Sequence, residues 1–209
     1  MKKMTTLFEK TEDQRQCIDK LRPGNEWVLT NSKAYRKWDG TACAVIEGIL
    51  YRRYDAKIGK DGKRKVPPPN SIACQEPDEI TGHQPYWTPV TKGKDGQRML
   101  DAFLRLDHST RFTTNSEGIP IYESNKLDQT YEFCGPKVKS NPENLSEHSL
   151  IPHRVSGVPL DIHKKVDFEY LKKVLAEKDI EGIVFWEIGG DRKCKIRKTD
   201  FGIKRIKDD

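Results

Sequence analysis

The segment Lys37-Trp38-Asp39-Gly40 places a lysine and a carboxylate directly before a run that alternates like a β-strand. A neutral lysine amine attacks carbonyl carbon or phosphorus, but a free lysine is almost wholly protonated at neutral pH. Desolvation or neighbouring cations lower the pKa of a lysine and make its amine nucleophilic. Lys37 is therefore a candidate nucleophile.

Partners for such a nucleophile occur in four later segments of the sequence. Lys195, Arg53 and a bound metal ion would supply a cationic field, which would also bind a triphosphate and stabilise charge at its α-phosphate. Glu132 and Glu181, each at the end of a predicted strand, would hold a hydrated Mg²⁺ or Mn²⁺. Attack of the lysine on the α-phosphate of a nucleotide, with pyrophosphate leaving, would give a lysyl-nucleotide phosphoramidate.

The segment KCKIRK (193–198) supports this chemistry through its alternation. Lys193, Lys195 and Arg197 fall on one face of a predicted strand, and Cys194 and Ile196 fall on the other. A strand with three cations on one face is suited to lining a phosphate site. The alternative is an edge strand whose lysines protect against aggregation.

Composition limits the class of protein. The chain has 209 residues, a third of them charged, and a formal net charge of +6. Its apolar residues form short runs, which excludes a disordered chain, and none approaches the roughly 20 residues of a membrane helix. The five cysteines are odd in number and form no C-x-x-C pair, so we expect reduced thiols in the cytoplasm and no contact with a membrane. The start of the sequence has no apolar region typical of a secretory signal. The basic run 57–65 is interpreted either as an RNA-contacting loop or as a solvated loop.

The predicted elements indicate an α+β fold in which antiparallel hairpins outnumber helices. Helices are predicted over 7–21 and 167–179, and residues 99–106 fit either a helix or a strand. Residues 67–96 and 141–153 are predicted to be irregular. Strands are predicted over 26–33, 41–55 with a turn at Glu47-Gly48, 129–135, 181–188 and 193–198.

Four of these segments, in this order, resemble motifs of the covalent lysyl-nucleotidyltransferases, which include ATP-dependent DNA and RNA ligases and mRNA capping guanylyltransferases. KWDG (37–40) resembles their first motif, YEFCG (131–135) the third, EGIVF (181–185) the fourth and KCKIRK (193–198) the fifth. A more specific similarity, to the human-type ATP-dependent 5′-3′ RNA ligases, runs from about residue 35 to about residue 203. It is carried by the segments DGTACAV, RRYDAK, ITGHQPYWTPV, YEFCGPKVKSNP, HSLIPH and IEGIVFW.

The resemblance implies a single nucleotidyltransferase domain over 1–209, of the ATP-grasp-like ligase adenylation type, with antiparallel sheets flanked by helices and no C-terminal OB-fold. It implies that ATP adenylylates Lys37 with the help of Lys195 and Glu181, and that Mg²⁺ or Mn²⁺ binds Glu132 and Glu181. The nucleotide would be bound by Lys37, Asp39, Gly40, Arg53, Glu132, Phe133, Lys193 and Lys195. The RNA would be contacted by Arg53, Arg197 and Lys198.

One departure and several alternatives accompany this interpretation. Arg36 occupies a position that is glutamate in many ligases, and it adds a cation next to Lys37 in the sequence. Phe133 is either an adenine-stacking residue or a core aromatic. We expect a monomer that joins RNA ends carrying a 5′-phosphate and a 3′-hydroxyl. The alternatives are a GTP-dependent capping guanylyltransferase, a non-catalytic RNA-end binding protein of the same fold, and an enzyme that seals DNA nicks.

Overall fold

Alternating and β-branched segments fold into strands along most of the chain, for which a computed structural model describes residues 4–79, 81–106, 112–123, 125–153, 159–162 and 166–205. The fold is mixed α+β, with mostly antiparallel strands and two α-helices among these residues. The strands are β1 (Thr5–Thr6), β2 (Phe8–Lys10), β3 (Cys17–Leu21), β4 (Ser32–Lys37), β5 (Thr41–Ile46), β6 (Ile49–Ala56), β7 (Ile72–Ala73), β8 (Gln84–Pro89), β9 (Phe112–Thr114), β10 (Pro120–Tyr122), β11 (Thr130–Cys134), β12 (Ser149–Pro152), β13 (Gly182–Glu187) and β14 (Lys193–Arg197). The helices are α1 (Lys94–Leu104) and α2 (Phe168–Glu177), and short 3-10 helices span Glu26–Leu29, Asn125–Leu127 and Lys198–Phe201.

The chain forms two compact units. Unit 1 contains Asp39–Val155, and unit 2 contains Lys3–Trp38 and Ser156–Asp209. The expectation of a single nucleotidyltransferase domain stays a prediction.

Unit 1 is built on an antiparallel sheet in the order β12-β11-β5-β6-β10-β9, with β8 also paired to β6 and β7 paired to β8. The predicted hairpin turn at Glu47-Gly48 is confirmed: both residues have positive φ angles, of 50° and 74°, as a tight turn that follows the right-handed strand twist requires. Residues 99–106, which fit either a helix or a strand in sequence, belong to helix α1 as far as residue 104. The apolar side chains of α1 pack on one face of the sheet. Its buried residues include Met99, Leu100, Ala102 and Phe103.

Unit 2 is built on a four-stranded sheet in the order β1-β14-β13-β4. Strand β1 runs parallel to β14, and the other pairs are antiparallel. The predicted helix over 167–179 is confirmed as α2, which begins after Asp167, whose carboxylate accepts a hydrogen bond from the backbone N–H of Tyr170. Leu171, Val174 and Leu175 of α2 pack with Ala34, Ile183, Phe185, Cys194 and Ile196 of the sheet.

The helix predicted over 7–21 is wrong. Residues of this segment form the antiparallel pair β2–β3 instead. The polar residues between the strands make a turn in which the Thr11 hydroxyl and the Arg15 N–H both donate to the carboxylate of Asp13. Such local hydrogen bonds compete with a helix. Ile18, which would belong to the apolar face of such a helix, is 41% exposed.

Three other assignments need correction. The first residues of the predicted strand 26–33 form a 3-10 helix that buries Trp27 and Val28, and strand β4 begins only at Ser32. The region 67–96 is not irregular throughout, because it contains β7, β8 and the start of α1. Pro85 has no backbone N–H to donate, but its carbonyl still takes part in the pairing of β8 by accepting a hydrogen bond from the Cys74 N–H. Residues 149–152, predicted to be irregular, form β12 and pair with β11.

The remaining expectations concern reduced cysteines and membrane helices. Cys17, Cys43, Cys74, Cys134 and Cys194 are all free thiols. No helix in the described part of the chain is long and apolar enough to cross a membrane.

Candidate active site

Three strands of unit 2 bring Lys37, Glu181 and Arg197 to one end of the sheet. Lys37 is the last residue of β4, and Glu181 immediately precedes β13. The strand register pairs Gly182 of β13 with Lys37 on one side and with Arg197 of β14 on the other. Side chains of paired residues lie on the same face of a sheet, so the lysine and the arginine flank a glycine that contributes no side chain.

Lys37 and Glu181 form a close ion pair. The Lys37 Nζ lies 2.5 Å from Glu181 Oε2, and the two side chains are 18% and 21% exposed. The Lys37 amine also donates to the carbonyl oxygen of Trp38 at 3.4 Å. The carboxylate thus holds the amine in position and is placed to accept a proton from it.

Lys195 lies on the same face of the sheet, two residue pairs further along, where it pairs with Val184. Its pKa is lowered to about 8, mainly by burial and then by the positive charges of Arg197 and Lys37, while Glu181 and Asp200 oppose the shift. A lowered pKa from desolvation and neighbouring cations is typical of functional sites. The alternation predicted for KCKIRK is confirmed, since Cys194 and Ile196 are fully buried on the opposite face. The edge-strand alternative does not fit, because β14 lies between β13 and β1.

Arg197 is fixed by a buried carboxylate in the turn that follows it. Its Nη2 donates to Asp200 Oδ1 at 3.0 Å, and Lys10 Nζ lies 3.2 Å from the same oxygen. This hydrogen bond to Asp200 raises the pKa of Arg197 above its usual value. Lys198, which follows Arg197, is only 2% exposed, and this burial weighs against its predicted contact with RNA.

Arg36 does not lie beside Lys37 as its place in the sequence implied. Successive residues of a strand point to opposite faces. The Arg36 guanidinium instead lies over the ring of Trp38, 4.5 Å from the ring centroid, and donates to the carbonyl oxygen of Asp179. The positively charged side chains that accompany Lys37 on this face are therefore those of Lys195 and Arg197.

Loss of the Lys195 charge is expected to stabilise the protein, since the folded state disfavours the protonated amine. At pH 7, Lys195→Met should raise the free energy of unfolding by about 1–3 kcal/mol. Between pH 8 and 10.5 the unfolded wild-type chain holds a proton that the folded state has released, so wild-type stability rises relative to the variant. The advantage of the variant should therefore be full below pH 8 and vanish near pH 10.5. Denaturant unfolding at several pH values measures it, with exposed Lys172→Met as the control; a destabilised Lys195→Met at pH 7 contradicts the expectation.

Unit 1 holds a second cluster of predicted site residues, centred on Glu132. This side chain is 8% exposed, and its Oε1 accepts a hydrogen bond from the backbone N–H of Gly40 at 2.9 Å. Its Oε2 lies 3.0 Å from Nε2 of His153, whose Nδ1 lies 3.0 Å from the hydroxyl of Thr130. Glu132 thus positions the backbone of Gly40, and both of its oxygens already have protein partners.

Gly40 is required by close packing. A Cβ atom at this position would lie 2.2 Å from the carbonyl oxygen of Phe133 and 2.7 Å from the sulfur of Cys134. Real Cβ atoms do not approach backbone this closely, so any larger residue would push β5 away from β11. Close packing against β11 is therefore a reason for glycine at this position that does not depend on nucleotide binding.

Asp39 is oriented by a segment that follows β11. Its backbone N–H donates to Glu143 Oε1 at 2.9 Å, and its Oδ1 lies 3.0 Å from Lys139 Nζ. Glu143 is 8% exposed. No role was assigned to Glu143 or Lys139 from the sequence, although YEFCGPKVKSNP was among the segments that carried the resemblance.

The remaining predicted residues of unit 1 lie on different faces of its sheet. Arg53 pairs in register with Trp87 and forms an ion pair with Asp55 at 2.8 Å. Phe133 is 3% exposed within the core that also contains helix α1, and its ring stacks on that of His148 at 5.5 Å. The position of Phe133 favours the core interpretation over adenine stacking.

Removal of the Glu132 carboxylate is expected to destabilise the protein. Glu132→Ala would leave the buried Gly40 N–H without its acceptor, at a cost of about 1–3 kcal/mol in the free energy of unfolding. Glu132→Gln keeps one acceptor oxygen and should lose less. Denaturant unfolding measures both, with exposed Glu117→Ala as the control. Equal stability of Glu132→Ala and Glu117→Ala would show that the contact to Gly40 contributes nothing.

Neither cluster is a complete metal site of protein ligands. No group of three or more His, Cys, Asp or Glu side chains within the described ranges is arranged to hold a metal ion. The sequence matches no protein-family model, and a search of curated proteins gives no significant match.

Proposed function

We propose that the protein is an ATP-dependent RNA ligase that joins a 5′-phosphate to a 3′-hydroxyl through a lysyl-AMP intermediate. The observation that carries the proposal is the placement of Lys37, Lys195 and Arg197 on one face of the sheet of unit 2, with Glu181, which immediately precedes β13, in an ion pair with Lys37. A nucleophilic amine, a proton acceptor and two phosphate-binding cations are the groups that nucleotidyl transfer to lysine requires. The nucleotidyltransferase fold is part of the same proposal, supported by the mixed α+β architecture and its antiparallel strands.

In the first step, the Lys37 amine would transfer its proton to Glu181 and attack the α-phosphorus of ATP. A P–N bond would form, the bond from the α-phosphorus to the bridging oxygen would break, and pyrophosphate would leave with the electron pair. The 2.5 Å contact between Lys37 Nζ and Glu181 Oε2 supports Glu181 as the proton acceptor for this step. The assignment of Asp39, Gly40, Arg53 and Glu132 to nucleotide binding rests on the resemblance to the lysyl-nucleotidyltransferases.

Lys195 and Arg197 would stabilise the negative charge that gathers on the α-phosphate. With a pKa of about 8, Lys195 is largely protonated at neutral pH and can donate to a phosphate oxygen. Arg197 is held rigidly by Asp200, and such preorganised donors stabilise a transition state without having to reorganise.

A divalent cation fits this site through Glu181. Mg²⁺ is commonly bound by one or two carboxylates together with the phosphates of a nucleotide, so the absence of a three-ligand cluster among the described residues is compatible with it. Glu181, which is 21% exposed, would be its protein ligand, and Mg²⁺ or Mn²⁺ would neutralise charge on the triphosphate. Assignment of Glu132 as a second ligand stays a prediction, since its oxygens contact Gly40 and His153.

In the second step, a 5′-phosphate oxygen of RNA would attack the phosphorus of lysyl-AMP. The P–N bond would break, AMP would pass to the RNA as a 5′-5′ diphosphate, and the Lys37 nitrogen would leave with the electron pair and take back the proton held by Glu181. In the third step, a 3′-hydroxyl would attack the 5′-phosphorus of the RNA, and AMP would leave with the electron pair of the diphosphate bond. RNA as the acceptor is supported by the family resemblance and by the cationic face of the sheet.

A ligation assay tests this function. Two RNA strands, one with a labelled 5′-phosphate and one with a 3′-hydroxyl, are incubated with the protein, Mg²⁺ or Mn²⁺, and either ATP or GTP, as free ends and as a nicked duplex. We expect joined RNA with ATP, and an RNA-adenylate when the 3′-hydroxyl is removed. Transfer of GMP to a 5′-diphosphate end would identify a capping enzyme, preferential sealing of a DNA nick would identify a DNA ligase, and salt-sensitive RNA binding without any covalent product would identify a binding protein.

A further inference from the structure

The sheet of unit 2 carries a row of side chains that the proposed reaction does not use. Trp186 of β13 pairs in register with Lys33 of β4 and with Lys193 of β14. The three residues therefore lie side by side across adjacent strands, about 4.8 Å apart. Because each lies four residues from Lys37, Gly182 or Arg197 along its strand, the row is on the same face as the candidate active site.

The row presents positive charge to solvent. Lys33 is exposed, and Trp186 and Lys193 are partly exposed. The Lys193 ammonium lies over the indole of Trp186, 4.7 Å from the ring centroid. This cation–π contact holds the ammonium group against the sheet. With Lys37, Lys195 and Arg197, the face carries five cations along its three rows.

The distance from Lys37 indicates what kind of anion this row would bind. Lys33 lies four residues before Lys37, roughly 13 Å along the strand at about 3.3 Å per residue. The three phosphorus atoms of ATP, bound with the α-phosphorus at Lys37, do not reach that far. A polynucleotide does, because its backbone carries further phosphates along the strand that leads away from the reacting end.

We propose that Lys33 and Lys193, the latter held by Trp186, form a subsite for the phosphodiester backbone of single-stranded RNA next to the end that reacts at Lys37. The subsite extends the cationic face from the candidate active site along β4, β13 and β14. This inference rests on the proposed function, because that function supplies the RNA end. It adds Lys33 and Trp186 to the site and moves Lys193 from the nucleotide to the RNA.

The salt dependence of RNA binding tests the subsite. Each phosphate contact on a single strand contributes about 0.7 to the slope of log K against log salt concentration. Lys33→Gln combined with Lys193→Gln is therefore expected to reduce the slope by about 1.4 for a 5′-phosphorylated RNA oligonucleotide, without ATP. The control combines Lys172→Gln with Lys173→Gln, which removes the same charge from exposed positions on α2, on the opposite side of the sheet. An unchanged slope in the first variant, or equal reductions in both, would overturn the subsite.

Two further measurements refine this test. Trp186→Leu should weaken RNA binding by about two- to five-fold, since an exposed cation–π contact is worth about 0.5–1 kcal/mol, and Trp186→Phe should weaken it less.

Transfer of AMP from ATP in the absence of RNA is measured on the lysine variants. A fall in AMP transfer equal to the fall in RNA binding would assign the row to the triphosphate and overturn the RNA subsite. The binding assay does not depend on catalysis. If the wild-type protein formed no product, the ligase function would be refuted, and the binding assay would still decide whether the subsite exists.

Discussion

Lys37→Arg is expected to abolish covalent labelling of the protein by ATP. The arginine keeps the positive charge and can still pair with Glu181, but a guanidinium is not deprotonated in proteins and cannot attack phosphorus. Loss of a nucleophile lowers rates by about 10⁴-fold or more in enzymes whose groups act together. Incubation with α-labelled ATP and Mg²⁺ or Mn²⁺, followed by denaturing electrophoresis, measures the adduct.

Lys37→Ala should behave in the same way, and Lys172→Arg, at an exposed position on α2, should label like the wild type. The two substitutions at residue 37 separate charge from nucleophilicity, because only arginine retains the charge. Wild-type labelling of Lys37→Ala would show that a different residue carries the nucleotide.

Glu181→Gln is expected to reduce the rate of labelling by about 10²- to 10⁴-fold, the usual contribution of a general acid or base. Glutamine has nearly the same shape as glutamate but cannot accept the Lys37 proton or supply a negatively charged ligand to a metal ion. Single-turnover formation of the labelled protein measures the rate.

Glu177→Gln is the matched control, because Glu177 is a 64% exposed carboxylate on α2. It should label at the wild-type rate. Thermal unfolding of both variants checks that they remain folded. A Glu181→Gln rate within about three-fold of the wild type would remove Glu181 from the mechanism.

Parts of the fold with strong local signals could be predicted from the sequence. The stripe of Leu171, Val174 and Leu175 predicted α2, and the alternation of KCKIRK predicted which side chains of β14 face the core. The segment 7–21 failed because its apolar residues fit a helical face, whereas the decisive interactions were the local hydrogen bonds of Asp13 in the turn. The sequence pattern carried no information on that competition.

The candidate site, like the fold, could be predicted from the sequence only in part. Lys37, Glu181, Lys195 and Arg197 were chosen from the sequence. The strand register brings Lys37, Lys195 and Arg197 to one face, and Glu181 joins them through its ion pair with Lys37. The contact of Glu132 with the Gly40 backbone, and that of Asp39 with Glu143, were not predicted. These contacts join a side chain to a backbone group about 100 residues away in the sequence, and no local periodicity encodes such pairs. The Arg36 interpretation failed because neighbours along a strand point to opposite faces.

The mass of the intact protein after incubation with ATP and Mg²⁺ or Mn²⁺ tests the central claim most directly. We expect the wild-type protein to gain the mass of one AMP, lost in acid as a P–N bond requires, with the modified peptide containing Lys37. An unmodified wild-type protein, or an AMP located on a residue other than Lys37, would contradict the account.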